Sequence, residues 1–341
     1  MKGFFNRILI IDVTSQTTQI VPVDDASLTR FMGGKGLATH LLLTYNPPGV
    51  DPLAPENHLI VGLGPLTDSP VYGSCRYGIF SKSPLTGFFA ESYSGGRAAT
   101  AISGAGYDAV LVKGAATAPV WLEISDTDVV FHDARNLWGK DTYETEDRVK
   151  ALCGKKNAAA LVIGPAGENQ VKFAVIENDY WRSAGRTGMG AVLGSKNIKA
   201  LVFHGEQQKT FHDPDAMKQY ARTMAKDLNQ HPATRTYRGQ GTPVMVDGLN
   251  KAGAFPARYW SQGRCDHYEK INAAAMAEKL GARPRSCKTC FMGCGKLVTV
   301  KQGRHAGLKL EGPEYETIYA FGGLCMIDSI EEITWLNDIC D

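Results

Sequence analysis

Three closely spaced cysteines constrain this chain more than any other feature of its sequence. Cys287, Cys290 and Cys294 follow the pattern C-x2-C-x3-C in a glycine-containing segment that comes just after Pro284. Thiolates held this close together in the chain either bind a soft metal or oxidise. The segment therefore favours a redox metalloprotein over a hydrolase or a plain binding module.

The cysteine segment has three interpretations. An iron–sulfur cluster suits sulfur-only ligands, whereas a structural zinc usually takes two separated C-x2-C pairs or adds histidine, and no second pair exists here. Three unliganded core cysteines are the least favoured interpretation. We predict a [4Fe-4S] cluster, for which Cys265, Cys325 and Cys340 are candidate fourth ligands without diagnostic spacing.

Composition excludes several partners. The 341 residues include 37 Lys and Arg against 35 Asp and Glu, and the net charge of +2 argues against nucleic acid as a partner. No apolar run is long enough to span a bilayer. Residues 1–7 show no signal-peptide pattern, so we expect a cytoplasmic protein with reduced thiols.

The hydrophobic pattern predicts an α+β fold in two parts. Residues 1–207 form a β-rich domain, and residues 208–341 form a mostly helical domain with the cysteine segment. Strands are predicted at 7–13, 18–23, 58–63, 76–81, 88–92, 107–112, 120–124, 158–163, 171–176 and 200–204. Helices are predicted at 27–44 with an interruption at 33–36, and at 96–105, 142–152, 188–196, 216–228, 273–280 and 329–341. No internal repeat is visible, and the last helix has no stop signal, so we expect an incomplete second domain.

Glycines and arginines suggest a cofactor site in the first domain. The glycine-rich segments match neither the P-loop nor the G-x-G-x-x-G spacing. Ser94, Gly95 and Gly96 open a predicted helix, where free amides favour anions. Each glycine alone is more often a packing residue, but together with Arg76, Arg182 and Arg186 they could hold a large phosphorylated cofactor.

Acidic and imidazole groups give weaker signals. Glu314 and Glu316 could transfer protons if they lie buried near a redox centre. A solvated acidic turn explains them equally well. His204, His212 and His231 have no partner at metal-ligand spacing, so we expect them to be surface or core residues.

Several of these motifs resemble one family. The chain is similar, over essentially its whole length, to the N-terminal part of the tungsten-containing aldehyde:ferredoxin oxidoreductases. The matching segments are GGKGLA at 33–38, GPLT at 64–67, SKSPLTG at 81–87, SGG at 94–96, GPAGEN at 164–169, AGRTG at 184–188, GSKN at 194–197 and EGPEYE at 311–316.

The resemblance implies a β-rich base under a pair of pterins whose dithiolenes hold tungsten, or molybdenum in some relatives. Arg76 matches an arginine near the pterin and the cluster. Tyr93 and Ala184, the latter followed by Gly185 and Arg186, match positions whose carbonyls bind a magnesium ion that bridges the pterin phosphates. The family usually has Asn at the Tyr93 position, a change that a carbonyl ligand tolerates.

The resemblance extends to the second domain. Cys287, Cys290 and Cys294 match three cluster ligands, with the fourth cysteine beyond residue 341, and Glu316 matches a glutamate near the metal. Asp341 matches the start of a pterin-binding D-x-x-G-L-D segment, so we expect the chain to be a fragment. Residues 335–338 lack the E-x-x-H that binds an intersubunit iron in some members, which leaves the oligomeric state open.

The resemblance implies oxidation of a small aldehyde to a carboxylic acid, with electrons passing through the cluster to ferredoxin or an iron–sulfur partner subunit. Two alternatives remain. One is a relative that reduces another substrate, such as an aromatic thioester, and the other is a non-catalytic iron–sulfur electron-transfer subunit. The sequence leaves the substrate, the choice of tungsten or molybdenum and the electron acceptor open.

Overall fold

A computed structural model describes all 341 residues as two compact units. The first unit is Met1–Met217 and the second is Lys218–Asp341. The predicted α+β class is confirmed, with a β-rich first unit and a mostly helical second unit. The division into functional domains at residue 207 stays a prediction.

The first half of unit 1 is a six-stranded sheet. Its strands are Arg7–Asp12 (β1), Thr17–Pro22 (β2), Leu59–Gly62 (β3), Tyr77–Lys82 (β4), Phe89–Ser94 (β5) and Ala109–Lys113 (β6). They lie in the order β2-β1-β6-β3-β4-β5, and every pair is antiparallel except β1 with β6.

The second half of unit 1 repeats this topology. Its strands are Val120–Ile124 (β7), Val129–Asp133 (β8), Ala159–Val162 (β9), Ile176–Asn178 (β10), Arg182–Ala184 (β11) and Ile198–Phe203 (β12). The order β8-β7-β12-β9-β10-β11 again has one parallel pair, here β7 with β12. The repeat lies in strand order rather than in residue identity, so it is not visible in the sequence.

Helices fill equivalent places in the two halves. Those of unit 1 are Asp25–Phe31 (α1), Gly34–Tyr45 (α2), Ala98–Gly104 (α3), Thr142–Cys153 (α4), Pro165–Glu168 (α5) and Met189–Ser195 (α6). The predicted interruption at 33–36 is a break between α1 and α2. Met32 there takes a left-handed conformation at φ 57°, and Gly33 follows at φ 71°, a region that glycine adopts without strain.

One apolar core lies in each half of unit 1. In the first half, Ile8, Ile10 and Leu111 of the sheet pack with Leu37 and Leu41 of α2. In the second half, the core includes Trp121, Val149, Cys153, Val162 and Val202. Alternate residues of a strand face the same side, so each sheet presents one apolar face to its helices.

Unit 2 is helical apart from a small sheet. Its helices are Pro214–Asn229 (α7, which begins at the end of unit 1), Pro232–Gln240 (α8), Met245–Ala252 (α9), Ala273–Leu280 (α10), Tyr315–Thr317 (α11) and Ile330–Cys340 (α12). Short 3-10 turns occupy Thr242–Val244 and Tyr268–Lys270, and a π-helix spans Ile318–Leu324. The strands Arg283–Arg285 (β13), Gly295–Thr299 (β14) and Lys309–Glu311 (β15) form an antiparallel sheet.

Most of the predicted elements are confirmed, and one is wrong. The strand predicted at 171–176 is instead a turn, closed by a hydrogen bond from Ala174 N to Val171 O at 2.8 Å, and β10 begins only at Ile176. Gln170, at φ 54°, turns the chain just before this apolar run, which prevents an extended strand. None of the helices combines the length and the apolar character needed to cross a bilayer.

Candidate functional site

A cavity of about 300 Å³ opens at the ends of β3, β4 and β5 in unit 1. Its walls are rich in glycine and include the predicted cofactor residues Arg76 and Tyr93. The lining residues are Gly34, Gly62, Gly64, Pro65, Leu66, Thr67, Gly73, Ser74, Arg76, Tyr77, Gly78, Phe80 and Tyr93. Residues without side chains let a ligand approach the backbone, so this wall suits a large, flat cofactor.

Three hydrogen bonds fix the segment between β3 and β4. The hydroxyl of Thr67 accepts from Gly64 N at 3.1 Å and donates to the carbonyl of Arg76 at 3.0 Å. Lys209 donates from Nζ to the carbonyl of Gly64 at 2.6 Å. The backbone of Arg76 is thereby held in place while its side chain remains exposed.

Lys209 is a buried cation that belongs to no sequence motif. Burial lowers its pKa to about 8, although Asp108 and Asp68 oppose the shift. Lys209 contacts Gly64, which is distant in the sequence, so it reaches the cavity only in the folded chain.

Between about pH 8 and pH 10.5, the free energy of unfolding of the wild type should rise with pH. In Lys209→Met we expect a smaller rise. In that window the folded chain has lost the Lys209 proton at a pKa of about 8, while the unfolded chain keeps it at the ordinary value of 10.5. Unfolding then takes up a proton, so the free energy of unfolding rises with pH, by roughly 3 kcal/mol for a shift of this size.

The measurement is the unfolding midpoint at several pH values for the wild type and for Lys209→Met. Burial also lowers the pKa of Lys196 to about 8. Lys196 is present in both proteins, so its contribution to the pH dependence cancels in the comparison. Parallel curves for the two proteins would contradict the assignment.

Three linked polar side chains, those of Tyr93, Glu91 and Lys35, lie beside the cavity. The Tyr93 hydroxyl donates to Glu91 Oε2 at 3.0 Å, and Lys35 Nζ lies 2.9 Å from Glu91 Oε1. Burial and the Glu91 carboxylate raise the pKa of Tyr93 to about 12. Tyr93 therefore stays protonated at neutral pH, with its ring edge-on to Phe80 at 5.8 Å.

Asn178 ties the predicted Ser94–Gly96 turn to the second half of the unit. Its Oδ1 accepts from the Tyr77 hydroxyl at 2.6 Å and from Ser94 Oγ at 2.9 Å, and its Nδ2 donates to the Gly95 carbonyl at 2.9 Å. Asn178 is completely buried. A single amide thus fixes the end of β5, and strand patterning alone did not reveal it.

In the same turn, the backbone at Gly96 lies close to the Asp179 carboxylate. Its φ of 87° favours glycine, and a Cβ there would lie 2.1 Å from Asp179 Oδ2. The same carboxylate accepts from the Arg97 amide. The Arg97 amide, at the start of the helix predicted to favour anions, thus hydrogen-bonds to a carboxylate of the protein itself.

The other predicted cofactor residues lie at the topologically equivalent strand end, that of β11. The Gly185 carbonyl accepts from Ser92 Oγ of β5 at 2.9 Å, which joins the two strand ends. Arg182 and Ala184 lie on β11, where Ala184 is buried, and Arg186 follows in a left-handed conformation at φ 71° with its side chain exposed. The structure therefore brings the two predicted groups of cofactor residues together.

The cysteine segment of unit 2 is the loop of a β-hairpin. Strands β13 and β14 pair in register with Arg285 opposite Gly295, so residues 286–294 form the connection. Cys290 N donates to the Cys287 carbonyl at 3.2 Å, and Arg238 of α8 donates from Nε to the Phe291 carbonyl at 3.0 Å.

Lys296 and Gly241 support the base of this loop. The Lys296 ammonium is buried and donates to the carbonyls of Gly293, Cys294 and Gly295 at 2.9, 3.0 and 3.2 Å. Burial lowers the pKa of Lys296, while nearby Cys294 and two glutamates oppose the shift. A Cβ on Gly241 would lie 2.7 Å from the Cys294 carbonyl, so only glycine fits there without a shift.

The remaining predicted site residues lie elsewhere in unit 2. The Glu314 carboxylate accepts from the Thr242 hydroxyl, which in turn accepts from Tyr315 N at 2.9 Å, whereas Glu316 is exposed on α11. Asp341 follows α12, and its carboxylate accepts from Asn337 Nδ2 at 2.7 Å. Of the candidate fourth ligands, Cys265 is buried while Cys325 and Cys340 are exposed.

Comparison with known proteins places the chain in a family. A family model described as "Aldehyde ferredoxin oxidoreductase, N-terminal domain" matches residues 8–205, and one for domains 2 and 3 matches residues 219–341. The chain belongs to the aldehyde ferredoxin oxidoreductase family. The resemblance found in the motifs is thus confirmed.

Curated members of the aldehyde ferredoxin oxidoreductase family align with the whole chain. The "tungsten-containing aldehyde ferredoxin oxidoreductase" of Pyrococcus furiosus is 36% identical over 345 residues, covering 100% of this chain and 56% of that protein. An "aliphatic sulfonate oxidoreductase, WOR-like subunit" of the same organism is 29% identical over 358 residues, covering 100% and 57%. The chain thus spans about half the length of the curated relatives it matches.

A solved structure shares the fold. The active site complex BamBC of benzoyl coenzyme A reductase, in complex with 1,5-dienoyl-CoA, superposes with a TM-score of 0.84 over 99% of this chain and 52% of that one. Its sequence identity of 24% supports the fold alone.

Proposed function

We propose that the protein is an oxidoreductase that converts aldehydes to carboxylic acids at a tungsten, or molybdenum, bis-pterin centre. Electrons would pass through a [4Fe-4S] cluster to ferredoxin or an iron–sulfur partner subunit. The observation that carries the proposal is the 36% identity, over the whole chain, to a tungsten-containing aldehyde ferredoxin oxidoreductase.

The glycine-lined cavity supports the cofactor part of the proposal. A Cβ on Gly64 would have only Thr67 Oγ1 within 4 Å, at 3.9 Å, so this wall is open to a ligand. Bound there, a tungsten or molybdenum bis-pterin would supply the two-electron redox chemistry that no side chain offers. The exposed guanidinium of Arg76 would bind its anionic groups by charge-assisted hydrogen bonds.

The doubled topology of unit 1 supports a pair of pterins. Ser94, Gly95 and Gly96 follow one strand end, and Gly185 and Arg186 follow its equivalent. Two equivalent strand ends joined by hydrogen bonds offer two similar binding positions. We assign a magnesium ion between the pterin phosphates to the backbone carbonyls of Tyr93 and Ala184, with Arg182 and Arg186 as further cations.

The hairpin loop of unit 2 supports the cluster part of the proposal. Cys287, Cys290 and Cys294 would each bind one iron, and the fourth ligand would come from another segment of the protein. The Lys296 ammonium at the base of the loop would stabilise the negative charge of the thiolates. Glu314 and Glu316 would move protons, and Asp341 would begin a second pterin-binding segment.

Relative identity favours aldehyde oxidation over the alternatives. The aldehyde enzyme is 36% identical to the chain, and the sulfonate oxidoreductase subunit is 29% identical. Reduction of an aromatic thioester is the alternative reaction, supported by the shared fold alone. A partner subunit and a cytoplasmic location fit the proposed exchange of electrons with ferredoxin.

We expect the protein, expressed with whatever its reading frame encodes beyond Asp341 and purified without oxygen, to contain tungsten or molybdenum with pterin. Aldehydes should then reduce a viologen dye. Protein from cells grown without tungstate and molybdate is the control, and it should retain iron but lose this activity. Iron without tungsten, molybdenum or pterin in metal-replete cells would favour the electron-transfer subunit, and turnover of an aromatic thioester alone would favour the reductase.

A further inference from the structure

A cluster of metal-ligating side chains lies on the second sheet of unit 1, away from the cavity residues. It consists of Glu123 on β7, His132 on β8, Cys153 at the end of α4 and His204 just after β12. The sequence gives His204 no partner at metal-ligand spacing, and its neighbours here come from distant segments. The fold brings together residues that are far apart in the sequence.

Strand alternation explains why these side chains meet. Trp121 and Glu123 lie on the same face of β7, and His132 lies opposite Trp121 on the neighbouring strand β8. His204 continues the face of β12 that carries Val202, and its amide donates to the Ile124 carbonyl at 3.1 Å. Helix α4 covers this face and delivers its last residue, Cys153.

The three atoms nearest one another form a compact ligand set. Glu123 Oε1 lies 2.9 Å from His204 Nε2 and 3.6 Å from Cys153 Sγ, and the nearest ligand atoms of the three residues all lie within 4.8 Å of one another. The second oxygen, Glu123 Oε2, lies 2.9 Å from His132 Nε2. Glu123 thus directs one oxygen to the other two ligands and the other oxygen to His132.

The surroundings hold these groups in place. Cys153 is 8% exposed, and the side chains of His204 and Glu123 are 13% and 17% exposed. The His132 ring stacks on buried Trp121 at 3.8 Å, with 9° between the ring planes. Gly154, left-handed at φ 67°, ends α4 directly after Cys153. Rigid supporting elements favour a defined site over a mobile surface group.

The ligand set has the composition of a zinc-type site. One sulfur, one imidazole and one carboxylate are the donors that Zn²⁺ takes, at bond lengths of about 2.0–2.3 Å. Such bonds in a tetrahedron set O···S near 3.6 Å and O···N near 3.4 Å. The Cys153–Glu123 distance of 3.6 Å already matches, and the Glu123–His204 distance of 2.9 Å has to lengthen by about 0.5 Å.

We propose that Glu123, Cys153 and His204 bind one divalent zinc-type ion, with solvent as the fourth ligand and His132 orienting Glu123. Binding releases the Cys153 thiol proton to solvent, and neutral His204 binds the ion through Nε2 with its ring proton on Nδ1. A thiolate and a carboxylate then balance the two positive charges of the ion. This site is independent of the proposed aldehyde oxidation and of the cysteine loop.

The test is zinc binding to the protein purified without oxygen, with its iron content intact, after dialysis against a chelator. Zinc per chain is measured after desalting, and affinity by competition with a chromophoric chelator. Cys153→Ser and His204→Asn are the ligand variants. Their matched controls are Cys325→Ser and His212→Asn, which change the same residue types at exposed positions.

We expect one zinc per chain in the wild type, in both controls and in Cys290→Ser, which alters only the hairpin loop. Affinity should fall by more than about tenfold in each ligand variant, and by about 10–100-fold in His132→Asn, which removes an orienting partner. Glu123→Gln keeps the size of the side chain and should also weaken binding, so a folding defect in one variant does not decide the result.

Cobalt gives a second measurement. Co²⁺ in the wild type should show a thiolate-to-metal charge-transfer band that persists in Cys290→Ser and disappears in Cys153→Ser. Absence of zinc uptake by the wild type would overturn the proposal, as would equal affinity in Cys153→Ser and Cys325→Ser. The four residues would then be a hydrogen-bonded polar group at the edge of the core.

Discussion

Replacing Cys290 with serine is expected to remove most of the iron and acid-labile sulfide from the protein. Cys290 is the middle cysteine of the hairpin loop between β13 and β14, and a cubane cluster needs all four of its ligands. A serine hydroxyl is a harder and much less acidic ligand than a thiol. We expect iron to fall from about four atoms per chain to fewer than about one.

The loss should be local, because the supports of the loop do not depend on the thiol. Lys296 donates to backbone carbonyls, and Arg238 donates to the Phe291 carbonyl. The β13–β14 ladder is likewise made by backbone groups. The far-ultraviolet circular dichroism of Cys290→Ser should therefore match that of the wild type.

Iron, sulfide and the electron paramagnetic resonance signal of the reduced protein are the measurements. Cys153→Ser is the matched control, because Cys153 lies in unit 1 and is not a candidate ligand of the cluster. Cys265→Ser asks whether the buried Cys265 is the fourth ligand. Unchanged iron in Cys290→Ser would show that the loop holds no cluster. So would a wild type that contains no iron and whose zinc is lost in Cys290→Ser but kept in Cys153→Ser.

Local patterns in the sequence predicted local structure well. The β1–β2 hairpin follows from two runs of apolar residues around a polar turn, and it forms as expected. The cap of α12 follows from Ser329, whose hydroxyl accepts from Glu332 N at 3.3 Å. The cysteine loop was visible because its ligands lie within one short segment.

Features that depend on the global fold were not predictable from such patterns. Strands β10 and β11 have three residues each, too few to show a period, and Asn178 on β10 ties down Ser94 and Gly95. Lys209 follows a strand in irregular chain and carries no motif. Its role exists only because the fold brings its ammonium to the Gly64 carbonyl.

The Glu123, Cys153 and His204 group shows the same limit most clearly. Its members lie on a strand, at the end of a helix and just after another strand, and no short spacing links them. Metal-ligand motifs are recognised by short spacing, so a set assembled by sheet order escapes that test. The repeated topology of unit 1 was missed for the same reason, because strand order leaves no periodic mark in the sequence.

The second large effect, a loss of cofactor, is expected for Gly64→Val, a substitution in the cavity wall. Position 64 precedes Pro65, which favours an extended backbone that valine adopts readily. A Cβ there would have only Thr67 Oγ1 within 4 Å, at 3.9 Å, so the protein itself has room for the first added carbon. The branched side chain then projects into the cavity that Gly64 lines.

We expect Gly64→Val to fold normally and to lose most of its pterin and its tungsten or molybdenum. Overpacking costs typically 1–3 kcal/mol, which corresponds to a loss of affinity of about 5- to 150-fold. The smaller Gly64→Ala should lie between Gly64→Val and the wild type. Pterin, measured as its fluorescent oxidation product, and metal content are read for each protein, together with the unfolding midpoint.

Gly239→Val is the matched control. Gly239 also has open space around its Cβ position, but it lies on α8 in unit 2 and does not line the cavity. Its pterin and metal content should equal that of the wild type. If Gly64→Val keeps its full cofactor content, the pterin does not lie against this wall. If the cofactor is lost while the unfolding midpoint of the cofactor-free protein is unchanged, the added side chain excludes the ligand rather than disturbing the fold.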